Sequence, residues 1–209
     1  MIRKLSLVLT AVILFALTAQ AALIIGLPEN GSNYFPFGSS NGTRYQQVYA
    51  ASEFPGPMTI TGLTFYADSG TVASGTYTVH LSTTAAAVDA LSSTFALNVG
   101  ADDALFAVFN GGGSASPSFT IIGTPFFYDP GNGNLLMDIF VANSGSGAPI
   151  HARNNNATGQ FSRMHNFGSG FEHYGLVTGF ESEIIIPEPS TWAMLAGGLL
   201  ALLGARRKR

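Results

Sequence analysis

The chain is 209 residues long, with a formal net charge of −3 and no cysteine. Six of its nine basic residues lie in the first four or the last four positions, so residues 22–186 hold eleven carboxylates, three arginines and no lysine, a net charge of −8 with histidine neutral. That balance excludes a basic nucleic-acid-binding patch, and the lack of cysteine excludes disulfides, thiolate metal sites and a cysteine nucleophile.

The chain opens MIRKLSLVLTAVILFALTAQAA. Arg3 and Lys4 form a short positive segment, residues 5–17 an apolar run of signal-peptide length, and Ala19-Gln20-Ala21 the small residues that a signal peptidase reads. The run is too short for a comfortable membrane span. Residues 1–21 therefore read as a signal peptide cut before Ala22, which implies export. Residues 22–186 then form a single domain, long enough to bury a real core.

Within that domain Gly, Ser, Thr and Asn are abundant and charges sparse, a composition that favours strands and turns over helices. Residues 75–82, GTYTVHLS, give the clearest strand: Tyr77, Val79 and Leu81 face one way, Thr76, Thr78, His80 and Ser82 the other. Residues 59–67 read as the preceding strand, its antiparallel neighbour across Asp68-Ser69-Gly70. Further strands are expected at 95–99, 105–109, 119–122, 135–141, 160–165, 174–178 and 180–186. Turn clusters separate most of them, notably Asn110-Gly-Gly-Gly-Ser, Asp129-Pro-Gly-Asn-Gly-Asn and Asn143-Ser-Gly-Ser-Gly. Only residues 84–91 offer a helical turn. Short strands at this spacing predict an all-β, antiparallel, jelly-roll-like sandwich.

Several groupings are candidates for chemistry. Gly38-Ser39-Ser40-Asn41-Gly42 matches G-x-S-x-G, but a nucleophile elbow needs a strand before it and a helix after it in an α/β sheet, so here it reads as a loop. In residues 129–138, Asp129, Asn132, Asn134 and Asp138 offer hard oxygens around two glycines, as Ca2+ would require. The competing reading needs no cofactor: a glycine-rich hairpin turn, with Asp129 capping its own backbone and Asp138 facing solvent. His151, His165 and His173 fall within 23 residues, beside Glu172, without the i,i+4 spacing of a helical zinc site, and read as surface histidines. Glu181 and Glu183 share one face of a strand and Phe180, Ser182, Ile184 and Ile186 the other, a solvated face rather than a catalytic carboxylate pair. Two aromatic runs, Tyr34-Phe35 with Phe37 and Phe126-Phe127-Tyr128, lie next to turns. They suit core packing, or a sugar-stacking platform with Tyr34, Phe37, Phe127 and Tyr128 as contacts. No residue is assigned a catalytic role.

The end of the chain has its own logic. Pro187-Glu188-Pro189 must be extended and unpaired, because each proline fixes φ, lacks an N–H and drives its predecessor out of the helical region. The apolar stretch 191–205 would span about 22 Å as a helix, short of a bilayer core of about 30 Å. Leu195, Leu199, Leu200, Leu202 and Leu203 supply its apolar body, Trp192 suits one membrane interface, and Arg206, Arg207, Lys208 and Arg209 mark the cytoplasmic end. Gly197, Gly198 and Gly204 allow another helix close approach. Such a segment suits brief retention, recognition and release, or a weak permanent anchor.

Taken in order, the Pro-Glu-Pro triplet, the short apolar helix and the Arg-rich end resemble the PEP-CTERM sorting signal of Gram-negative bacteria. The resemblance implies an exosortase, a membrane enzyme with a catalytic cysteine, as partner. Pro187, Glu188 and Pro189 would be its recognition motif and residues 206–209 the stop signal. The protein would be that enzyme's substrate, passing to the cell surface or the exopolysaccharide matrix. FPFG at 35–38, RYQQVY at 44–49, ITGLTF at 60–65, YDPGNGNLLMD at 128–138 and GLVTGF at 175–180 are similar to choice-of-anchor domains that accompany this tail. That similarity implies a surface β-domain and brings no catalytic residues.

Overall fold

The computed structural model describes residues 22–39, 44–154, 159–166 and 170–183. The expected signal peptide, Ser40 to Gly42 of the G-x-S-x-G match, and the whole tail from residue 187 lie outside the described residues.

The architecture is all-β and every strand pair is antiparallel. A four-stranded sheet holds β1 (Leu23–Ile25), β4 (Met58–Tyr66), β7 (Ser118–Tyr128) and β12 (Thr178–Glu183), in the order β1-β12-β4-β7. A five-stranded sheet holds β3 (Arg44–Tyr49), β5 (Thr76–Thr84), β6 (Ala104–Asn110), β8 (Asn134–Ala142) and β10 (Phe161–His165), ordered β10-β3-β8-β5-β6. A small third sheet, β11-β9-β2, is built from β2 (Gly31–Asn33), β9 (Ile150–Asn154) and β11 (Tyr174–Leu176).

The two large sheets share one core. Ile60, Leu63 and Phe65 of β4 and Phe180 of β12 meet Tyr77, Val79 and Leu81 of β5 and Leu135, Met137 and Ile139 of β8, all fully buried. The period-2 alternation of β5 thus does what its sequence dictates, burying its apolar set. The chain passes from one sheet to the other between β3 and β4, β4 and β5, β6 and β7, and β7 and β8, as a sandwich of crossing connections does.

Two expectations are corrected. β4 and β5 do not form a hairpin: β4 pairs β12 and β7, while β5 pairs β6 and β8 in the opposite sheet. The nine residues 67–75 are long enough to cross the roughly 10 Å between packed sheets, and both strands need a buried face. Residues 95–99 are not a strand. Phe95–Asn98 is a 3-10 helix, and its buried Asn98 accepts from the Ser92 N–H at 2.8 Å and donates to Ser92 O at 2.9 Å and Gln46 Oε1 at 2.8 Å. A side chain that ties the backbone to itself competes with a strand ladder. The stretch 84–91 forms only a turn, with Ala90 N–H donating to Ala87 O at 3.2 Å.

The two outer faces differ. Residues 86–99 cover the five-stranded sheet, where Val48, Leu91, Leu136 and Met164 form a second buried cluster packed by Val88, Phe95 and Val99. The outer face of the four-stranded sheet stays open: Ile122 is 71% and Phe127 64% exposed.

Candidate functional site

The four oxygen donors of the 129–138 loop do not converge. Asp129 accepts from Gly131 N–H at 2.9 Å and from Asn132 Nδ2 at 3.2 Å, capping the 3-10 turn Pro130–Asn132. Asn134 faces elsewhere: its Oδ1 accepts from Ala51 N–H at 2.9 Å and its Nδ2 donates to Ala86 O at 3.0 Å. Asp138 lies four residues further along β8, about 13 Å at strand spacing. Contrary to expectation it is buried, not solvent-facing, because residues 86–99 cover that face. It accepts from Arg44 Nε at 3.1 Å, Arg44 Nη2 at 2.6 Å and Gln46 Nε2 at 2.7 Å. The Arg44 guanidinium in turn lies 4.9 Å from the Phe95 ring centroid and 4.4 Å from that of Phe140.

The aromatic platform is divided. Phe37 and Tyr128 are fully buried. Phe37 packs edge-on to Phe119 at 5.1 Å, and Tyr128 against Phe54 at 4.8 Å. They are core, so neither can stack on a sugar. Tyr34 and Phe127 are exposed, at opposite ends of β7: Tyr34 beside the Phe37 turn near Phe119, Phe127 across from Thr59.

The histidines are separated as well. His80 faces Asp103 at 3.1 Å, His151 Asp68 at 3.0 Å, His165 Glu172 at 3.5 Å and His173 Asp89 at 2.6 Å. Among the described residues no three His, Cys, Asp or Glu side chains group to hold a metal ion. Contrary to the surface reading of the three histidines, His165 is buried, stacked on Phe35 with centroids 4.7 Å apart. Burial and the neighbouring Arg163 hold its pKa below the usual value, against the opposing pull of Glu172.

The open sheet face carries a site that the sequence pattern did not mark. In register across it lie Ile24, Gly179, Thr64 and Thr120, then Glu181, Gly62 and Ile122. Thr64 Oγ1 donates to Glu181 Oε1 at 2.8 Å. A Cβ on Gly179 would sit 2.7 Å from the Tyr66 hydroxyl, so the glycine leaves room for that hydroxyl over β12. Burial and the Glu181 charge both raise the Tyr66 pKa. At this end of the sheet is a groove of about 210 Å³. Tyr66 and Ile24 line it from the sheet, Leu27 and Glu29 from the β1–β2 loop, Pro117 and Val177 from just before β7 and β12, and His151 from β9. His151 places Nε2 3.0 Å from Asp68 Oδ1 and Nδ1 3.9 Å from Glu29 Oε1. Opposite ring nitrogens serve the two carboxylates, so they cannot converge on one ion. The one sequence sign of this site was Tyr66 on the threonine face of β4.

β12 runs from the groove toward the tail: Thr178 pairs with Phe65, and Glu183 with Thr59 at the far end.

This is an all-β, antiparallel domain followed by a C-terminal segment of separate character. Residues 186–209 match the PEP-CTERM protein-sorting motif. The chain thus carries the signal of exported proteins that an exosortase, a membrane enzyme, processes. No curated protein and no solved structure matches the chain, so the β domain stands on its own geometry. Among the described residues no helix is long and apolar enough to cross a membrane.

Proposed function

We propose that the protein is a non-enzymatic component of the cell surface or its polysaccharide matrix, delivered by removal of the C-terminal tail. The observation that carries this reading is the sorting-motif match at residues 186–209. Signal peptidase acting before Ala22 and an exosortase acting near Pro187–Pro189 are the two processing partners, and residues 191–205 hold the chain in the membrane between these events. The domain supports the reading in two ways. β1 begins at Leu23, so a cut before Ala22 leaves the strand whole. Polar groups that suggested chemistry in the sequence are engaged in structural bonds: Asp138 with Arg44, Asn134 with Ala51 and Ala86, Asp129 with its own turn.

A second reading, carbohydrate binding at the same location, is favoured by the open sheet face with its exposed apolar groups and the Tyr66 groove. The intact mass of the envelope-bound protein from its native host tests the main reading. The expected species begins at Ala22 and ends near Pro187–Pro189. A species retaining Arg206 to Arg209 would refute delivery by tail removal and make the tail a stable anchor.

A further inference from the structure

The groove combines an apolar floor with an acidic rim, and that pairing restricts what it accepts. We propose that it binds an amine-bearing sugar unit of a polysaccharide. The inference rests on the exported reading only for access to such a polymer, and does not require the tail to be cleaved.

Ile24, Leu27 and the Tyr66 ring provide apolar surface of the kind on which the C–H face of a pyranose ring stacks, with Val177 buried beneath it. The Tyr66 hydroxyl lies over the bare backbone of Gly179. The volume, about 210 Å³, is below the roughly 300–1,000 Å³ of sites for larger ligands, which suits one ring of a longer chain entering from the open side.

The rim decides the charge. Glu29 and Asp68 stand on either side of His151, with side chains 43% and 94% exposed. There is no lysine anywhere in residues 22–186. Arg44 and Arg163 are held by Asp138 and Glu172 on the five-stranded sheet. Arg153 is nearest the groove, and its Nη1 is directed to Leu27 O at 3.1 Å and Gln160 Oε1 at 2.6 Å. A polyanion meets two carboxylates at this mouth and is repelled. A neutral sugar can offer them only hydroxyl donors, while an ammonium group on the ring adds a full opposite charge and pairs with either.

The test is calorimetric titration of the detergent-solubilised protein from its native host with glucosamine oligosaccharides in near-neutral buffer. The fully N-acetylated oligomer and oligolysine of matched length serve as comparisons. The expected result is saturable binding of the glucosamine oligomer, weaker by at least about tenfold for the acetylated one, because acetylation removes the charge. Glu29→Gln and Asp68→Asn, both at exposed side chains, each weaken it about threefold, and about tenfold together. Tyr66→Ala removes the stacking surface and abolishes binding, with its thermal melt reporting whether the fold survives. No binding, equal binding of the acetylated oligomer, equal binding of oligolysine, or parent-like affinity in the double carboxylate variant would each overturn the assignment. The intact mass of the same sample reports the state of the tail, so failure of the groove and failure of the sorting reading are separately visible.

Discussion

Replacing Asp138 with alanine probes how the segment 86–99 is fastened to the sandwich. In the parent protein the carboxylate accepts two hydrogen bonds from Arg44 and one from Gln46, and the Arg44 guanidinium lies between the Phe95 and Phe140 rings. Breaking a fully buried ion pair from one side costs about 3–5 kcal/mol, chiefly through the stranded partner. Two features reduce that here. The Arg44 side chain is 24% exposed, against 4% for Asp138, so the freed guanidinium regains some hydration. Gln46 Nε2 keeps Phe95 O, 3.2 Å away, as an acceptor. The expected loss is therefore about 2–3 kcal/mol. With a urea slope of about 2 kcal/mol/M this lowers the midpoint by about 1 M at unchanged slope. A cycle with Arg44→Ala, Asp138→Ala and the double variant is expected to give a coupling energy of about 1–2 kcal/mol. An Asp138→Ala variant within about 0.5 kcal/mol of the parent would refute the reasoning, since surface-like substitutions fall in that range.

Two further outcomes follow from the same geometry. Calcium is expected to leave the melting temperature unchanged, because Asp129, Asn134 and Asp138 each have separate protein partners; a rise of more than about 2 °C, the size a bound ligand produces by mass action, would restore a cation site. His165 is held below its usual value of 6.5, so its stabilising contribution is present above that value and is lost as pH falls through the folded one. Going from about pH 7.5 to about pH 5.5, His165→Phe, which keeps a ring to stack on Phe35, is expected to lose less stability than the parent. An equal or greater loss in the variant would show that His165 does not carry the dependence.

Much of the fold was legible because strands announce themselves locally. Tyr77, Val79 and Leu81 alternate with threonine, histidine and serine, and the structure buries that set completely. The period of a strand says which face is buried, not which strand lies beside it. That is why residues 59–67 and 75–82 looked like a hairpin and proved to belong to opposite sheets. Phe37 and Tyr128 illustrate the same limit: an aromatic next to a turn can point either way, and here Phe65, Phe119 and Phe54 supply the rings that draw both inward.

The sequence alone specifies the sorting tail, because a Pro-Glu-Pro triplet, an apolar run and a basic end act through contiguous residues and need no tertiary contact to be read. It also determined the all-β class, through composition and alternation. What the side chains do follows from the packed fold instead. Asp138 became a buried partner of Arg44 because residues 86–99 cover its face of the sheet. Glu29, Tyr66, His151 and Val177, scattered along the chain, became one groove, with Asp68 paired to His151 beside it, because β1, β4, β9 and β12 bring their ends together. Such a site depends on long-range register, which no local pattern encodes.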